Sequence, residues 1–186
     1  MKKIIKKLLG LQKPALPPKS HLDILIENGL KVGQNFNMLP ECIIDFSHCW
    51  HIEIGNNVTL APRVHILAHD ASTKLFLDYT KVKNVKIGNN VFVGTSTIIM
   101  PGVEIGDNVI VGAGSVVTKS IPSNVVYAGN PAKFICNLDT FLSKTKENMS
   151  SDNVFDESFT LRNAISLEDK VKMIDAVKNY GAAYVK

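Results

Sequence analysis

From Ile87 to Ile121 an aliphatic side chain returns at every sixth position. Ile87, Val93, Ile99, Ile105, Val111 and Val117 share one phase, and Gly88, Gly94, Gly106 and Gly112 follow directly behind four of them. Four residues after each aliphatic stand Val91, Thr97, Val103, Val109, Ser115 and Ile121, all small or branched. Neither a helix of period 3.6 nor a strand of period 2 bounded by hairpin turns gives this spacing. Six-residue repeats belong to β-helices. The pattern predicts a chain that turns a corner every six residues and points each aliphatic into a narrow interior. Three hexapeptides then make one triangular turn, which stacks Ile87 on Ile105 and Val93 on Val111. No turn buries its apolar residues alone; the stack builds the core.

The rhythm extends upstream through Ile54-Gly55-Asn56-Asn57-Val58-Thr59, Leu60 and Ile66. Earlier it blurs, with Val32-Gly33, Met38 and Ile44 as members and a phase slip between Trp50 and Ile54. Between Ile66 and Ile87 it stops. Residues 70–86 carry several lysines and no glycine, and are expected to form a loop extruded from the coil. Long loops within regular scaffolds tend to carry function. The predicted fold is therefore an all-β solenoid, a parallel β-helix, with an extruded loop and a C-terminal α-helix. Residues 1–20 form a basic amphipathic segment and a proline-rich connector, 21–135 the β-helix, and 136–186 a C-terminal extension. Within that extension Ser166 caps a helix over 166–180, Leu167, Val171, Ile174 and Val177 line one face, and Gly181 stops it.

Composition narrows the field less. A chain of 186 residues with 45% hydrophobic content suits one globular domain. The net charge of +4 is too mild to suggest nucleic acid. Cys42, Cys49 and Cys136 are odd in number and lack CxxC spacing, which fits reduced thiols in a cytoplasm. No apolar run approaches the roughly 20 residues of a membrane span. The opening MKKIIKKLLGLQKP is too short and too broken by lysines for a secretory signal. As a helix it sets Ile4, Ile5, Leu8 and Leu9 against a lysine face, which suits peripheral contact with an anionic membrane surface. The plainer alternative is a helix on a neighbouring subunit, or a frayed end.

His69, at the point where the coil gives way to the loop, is the candidate general base, because imidazole can take a proton near neutral pH. His48, His51 and His65 suit outward coil positions. Together these histidines offer ligand types for zinc, but the spacing is not that of a zinc motif and no metal is expected. Trp50, with Phe46, is a candidate platform for a sugar ring, the alternative being a subunit contact. Asp70, Asp45 or a backbone carbonyl are the candidates to orient His69.

The stretch IGNNVTLAPRVHILAHD, followed by a loop and by IGNNVFVGTSTIIMPGVEIGDNVIVGAGSVVTKSIPSNVVYAGNPAKFI, resembles the hexapeptide-repeat acetyltransferases. It is most similar to the maltose/galactoside and the capsule or O-antigen O-acetyltransferases. The resemblance covers 52–135 and implies a left-handed β-helix assembled as a homotrimer, with active sites in the clefts between subunits. It implies that His69 takes the proton from an acceptor hydroxyl, whose oxygen attacks acetyl-CoA directly. It also implies that the Thr95 backbone N–H, in the turn begun by Gly94, donates to the oxyanion. Ala113, Thr118, Lys119 and Lys133 would lie along the CoA track. Relatives often carry a basic residue three places after Lys133, where this chain has Cys136. The segments typical of maltose/galactoside, serine and streptogramin acetyltransferases are not evident, which leaves O-acetylation of a surface-polysaccharide sugar, with Trp50 and Asp70 near the acceptor. Alternatives are N-acetylation of an amino sugar, a γ-carbonic-anhydrase-like zinc enzyme, and a non-catalytic scaffold.

Overall fold

The structure is a computed structural model and describes residues 19–186; the predicted basic segment and proline connector, up to Pro18, lie outside the described residues. The chain enters through helix α1 (His21–Glu27), where Ser20 and Asp23 form a reciprocal capping box that satisfies otherwise orphaned N–H groups. Leu25 is fully buried beneath the first coil.

The first coil comprises β1 (Lys31–Val32), β2 (Asn37–Met38) and β3 (Ile43–Ile44). The second comprises β4 (Ile52–Ile54), β5 (Thr59–Leu60) and β6 (His65–Ile66). A hairpin follows, made of β7 (His69–Asp70), the single turn α2 (Lys74–Leu77) and β8 (Lys81–Val82). The third coil is β9 (Val85–Ile87), β10 (Val91–Val93) and β11 (Ile98–Ile99). The fourth is β12 (Glu104–Ile105), β13 (Val109–Val111) and β14 (Val116–Val117). Successive strands visit three sheets in rotation, with orders β1-β4-β9-β12, β2-β5-β10-β13 and β3-β6-β11-β14. We call these faces A, B and C. Every pairing between coils is parallel, with Ile87 on Ile105 and Val93 on Val111 as the spacing requires. The aliphatics at that phase are buried, and Thr97 and Ser115 are the buried small residues where walls converge. Thr97 and Ser115 both donate their hydroxyls to the Gly112 carbonyl, so neither is left unsatisfied inside.

The blurred first coil is a full member of the stack: Val32 lies under Ile54, Met38 under Leu60 and Ile44 under Ile66. The phase slip has a cause. A 3₁₀ segment, Phe46–His51, is inserted after face C and lengthens the step to the next coil to 22 residues. The extruded loop is shorter than the expected 70–86. Val85 is buried and pairs with Ile52, so the coil resumes two residues before Ile87 and the hairpin occupies only the residues ahead of it. The lysine count misled there, because Lys86 is an outward residue between two inward aliphatics, the ordinary alternation of a strand.

The corner from face A to face B is a column of asparagines. Asn35, Asn57, Asn90, Asn108 and Asn124 all have left-handed backbones, a region Asn tolerates better than most residues. Each of the first four donates its side-chain N–H to the carbonyl oxygen of the next. At the fourth and final step the repeat shortens to 16 residues.

β15 (Val125–Ala128) adds a parallel strand to face B, and β16 (Lys133–Asn137) folds back antiparallel on it. α3 (Leu138–Glu147) follows, in a stretch whose polar composition gave no helical signal. β17 (Val154–Phe155) then pairs with the terminal β18 (Tyr184–Val185). Between them α4 (Leu167–Tyr180) carries the Ser166 cap and the left-handed Gly181 stop read from the sequence. Its Leu167, Val171 and Ile174 are exposed, so the apolar stripe is not spent on the coil.

Candidate active site

His69 leaves the coil at the corner from face C to face A, as the first residue of the hairpin. Its ring is fixed from behind. Asp45, directly after β3 one coil below, lies 2.5 Å from His69 Nδ1 through Oδ2. The same oxygen accepts the backbone N–H groups of Ala68 and His69, and Oδ1 accepts that of Ser47. A carboxylate that receives two N–H groups from the His69 segment fixes the main chain and the ring together. Burial pushes the Asp45 carboxyl upward, but the hydrogen bonds from the His69 ring and the Ala68 N–H, with the His69 charge, hold it below its ordinary value. An ionised Asp45 accepts from Nδ1–H and leaves Nε2 as the basic nitrogen.

Asp45 was one of three candidates for this role. Asp70 instead pairs with Lys81 at 3.2 Å across the hairpin, and it accepts from the Ser72 N–H. Those partners, Ser72 first, hold its carboxyl down at about 2. Asp70 therefore braces the hairpin and does not orient His69.

The remaining expected residues separate into two groups. Thr118 and Lys119 follow β14, so they share the C-to-A corner with His69. Gly94, Thr95 and Ala113 lie at the B-to-C corner, and Lys133, paired with Ala128, lies above that same corner. Within one chain, the His69 group and the Thr95 group thus stand at opposite ends of face C. Thr95 accepts the Gly114 N–H through its carbonyl. Ala113, Thr118, Lys119 and Lys133 are all exposed. Gly94 is different: it is buried, and a Cβ there would meet the Ala113 nitrogen at 2.4 Å. Its contribution is close coil stacking beneath the Thr95 turn, with no open surface for a ligand.

Sequence reasoning missed the neighbourhood of His48. This residue breaks the 3₁₀ segment, with φ −140° and ψ 32°, and its ring stands 4.9 Å from that of His69 and 5.5 Å from that of Trp50. Its Nδ1 is buried and has no hydrogen-bond partner. The expectation of an outward surface residue is wrong for His48, because the inserted segment folds back over the His69 corner. Trp50 and Phe46 are more than half exposed, though they do not share a face: Phe46 stacks on His21, while Trp50 leans on His48 and His51. Trp50 borders a cleft of about 230 Å³ lined by Lys31, His51, Glu53, Asn84 and Lys86, in which His51 Nδ1 meets Asn84 Oδ1 at 2.7 Å. His65 lies on the outer side of face C, in register with Ile43 and Ile98. Among the described residues no helix is long and apolar enough to cross a membrane.

Residues 84–119 match the family described as bacterial transferase hexapeptide (six repeats). Protein CapG of Staphylococcus aureus is 45% identical over 125 residues, covering 64% of this chain and 73% of that protein. A maltose O-acetyltransferase from Clostridium difficile 630 superposes with a TM-score of 0.52 at 34% identity, covering 73% of this chain and 85% of that one. A hexapeptide-repeat acetyltransferase of Vibrio cholerae, solved with acetyl-coenzyme A, shares the fold with a TM-score of 0.54 at 24% identity. That match covers 59% of this chain and 61% of the Vibrio protein, less than two thirds of its length. With a repeat pattern, a relative and a solved structure in agreement, the chain belongs to the hexapeptide-repeat acetyltransferases.

Proposed function

We propose that this chain transfers an acetyl group from acetyl-CoA to a hydroxyl of a sugar, in the building of a surface polysaccharide. The observation that carries the reading is the Asp45–His69 pair, which leaves one imidazole nitrogen basic at the edge of the coil. In the proposed step His69 Nε2 takes the hydroxyl proton as the sugar oxygen attacks the thioester carbonyl. The Thr95 N–H donates to the oxyanion, the carbon–sulfur bond breaks, and the proton passes from His69 to the leaving thiolate of CoA. No acyl-enzyme is formed. Trp50 and its cleft offer an aromatic face and charged groups beside His48 for a sugar ring.

His69 and Thr95 stand at opposite ends of one face, so a site that uses both is built between two copies. This supports a homotrimer of left-handed β-helices with CoA in the clefts. Ala113 and Lys133 would come from one subunit and Thr118 and Lys119 from its neighbour. The lysines would meet phosphates as point charges. Peripheral contact with the inner face of a membrane through the first residues belongs to the same proposal, since a lipid-linked glycan would then be the acceptor. The name of the similar maltose O-acetyltransferase favours a sugar acceptor.

The test is release of free thiol from acetyl-CoA with a panel of oligosaccharides and purified full-length protein. Sugar-dependent release that disappears in His69→Ala is expected, while Thr95→Ala, which keeps the backbone N–H, loses far less. Undiminished turnover in His69→Ala would overturn the mechanism. Turnover with amines and none with hydroxyls would overturn the acceptor class.

A further inference from the structure

The buried Nδ1 of His48 is the polar atom that the acetyl-transfer reading leaves unused. It faces Asp45 Oδ1 at 4.0 Å, too far for a hydrogen bond. One ligand atom each from Asp45, His48 and His69 lies within 4.8 Å of the other two. Donor atoms around a tetrahedral zinc ion with bonds of about 2.0–2.1 Å stand about 3.3 Å apart. The set here brackets that spacing, from 2.5 Å between His69 Nδ1 and Asp45 Oδ2 to the longer separations from His48. Two imidazoles and a carboxylate are a zinc-type donor set.

We propose that Asp45, His48 and His69 bind a zinc ion that inhibits the enzyme by occupying the inner nitrogen of its base. The inhibition, though not the binding, rests on the role given to His69 above. When Asp45 accepts from Nδ1–H, the imidazole proton is on Nδ1 and Nε2 is bare. When zinc bonds to Nδ1, the neutral ring carries its proton on Nε2, the nitrogen that must receive the hydroxyl proton. The ring stays neutral and one proton changes place, so metal binding and base catalysis exclude each other through the tautomer. His48 supplies its unpartnered lone pair in the metal-bound form. Asp45 turns from hydrogen-bond acceptor to ligand through the oxygen that faces His48. Zinc here is an inhibitor and no part of the reaction.

The experiment uses untagged full-length protein, titrated with zinc chloride by calorimetry and with cobalt chloride by visible absorption. One zinc per chain and the intense visible bands of four-coordinate cobalt are expected. In His48→Gln the affinity should fall at least about tenfold, as loss of metal-site groups generally does. His51→Gln should bind as the native chain does, since His51 points to Asn84. If His48→Gln does not fold, His48→Asn serves in its place. Zinc binding that survives loss of His48 undiminished, or no binding at one equivalent in the native chain, would overturn the site. Both readouts are taken without acetyl-CoA or acceptor. A chain that binds zinc through His48 but transfers no acetyl group would therefore keep this site and refute only the proposed reaction. Where transfer is observed, zinc should abolish it and a chelator restore it; transfer unaffected at full zinc occupancy would overturn the inhibition.

Discussion

Asp45 Oδ2 holds three N–H groups of one short segment: the Ala68 amide, the His69 amide and the His69 ring. Its side chain is 1% exposed, so water does not substitute for it. Asp45→Asn keeps the shape but offers a neutral oxygen or an amide donor, and so loses the charge that selects the Nδ1–H tautomer. Turnover should fall by up to about 10⁴-fold, the loss known for an orienting carboxylate neutralised beside a catalytic histidine. The KM for acetyl-CoA should hardly move, and steady-state thiol-release kinetics separate the two.

The same carboxylate makes stability depend on pH. Its ionisation lies below the ordinary 3.8 in the folded chain. A depressed carboxyl stabilises the fold fully above its unfolded value and loses that contribution as the pH falls through its folded value. The stability gap between the native chain and Asp45→Asn should therefore be open at about pH 5 and narrow as the pH falls below 3.8. Urea midpoints measured at a series of pH values check it.

The uneven legibility of the chain has a geometric origin. Where the step is 18 residues, as from Asn90 to Asn108, inward side chains repeat in phase and the sequence alone assigns every wall. Asp45 is no more than one of three candidates in the sequence because it lies 24 residues before His69, across a coil whose step is stretched to 22. Its position directly behind Ile44 is the available signal. Once Ile44 is stacked under Ile66, the residue after it must lie beneath Leu67 and Ala68. His48 could not be found in that way, because the inserted 3₁₀ segment belongs to no repeat.

Separation of His69 and Thr95 onto two corners leads to a complementation test. Chains carrying His69→Ala supply an intact Thr95 corner, and chains carrying Ala113→Trp, which fills the exposed Thr95 corner, supply an intact His69. Each alone should be inactive. Trimers formed after unfolding and refolding a mixture should regain acetyl transfer, since some clefts then pair two intact halves. A mixture as inactive as its parents would show that one chain holds the whole site.

Gly94→Ala introduces a Cβ 2.4 Å from the Ala113 nitrogen, and the obstacle is backbone that cannot rotate aside. A cost of about 1–3 kcal/mol is expected from the overpacking. Because Thr95 moves with Gly94, turnover should fall in the same variant. Urea unfolding and kinetics on one preparation compare the two.

Asn90 has a φ of 55° and lies inside the asparagine column, bonded to Asn57 below and Asn108 above. Asn90→Ala loses both side-chain bonds and keeps the strain of a left-handed residue, about 1–2 kcal/mol by itself. Asn90→Gly loses the bonds without the strain. Glycine should therefore be the milder replacement, which thermal unfolding of the pair decides.

A stack of parallel strands is open at both ends, and each open end is a template on which another molecule can continue the sheet. Here β16 runs antiparallel over β15, opposite to the direction in which a further coil would add, and the Ala132 N–H covers the Val116 carbonyl at the end of face C. At the other end α1 seats Leu25 across the mouth of the first coil. The two plugs set the length of the prism. They keep a fold that has no internal reason to stop from growing into a fibre.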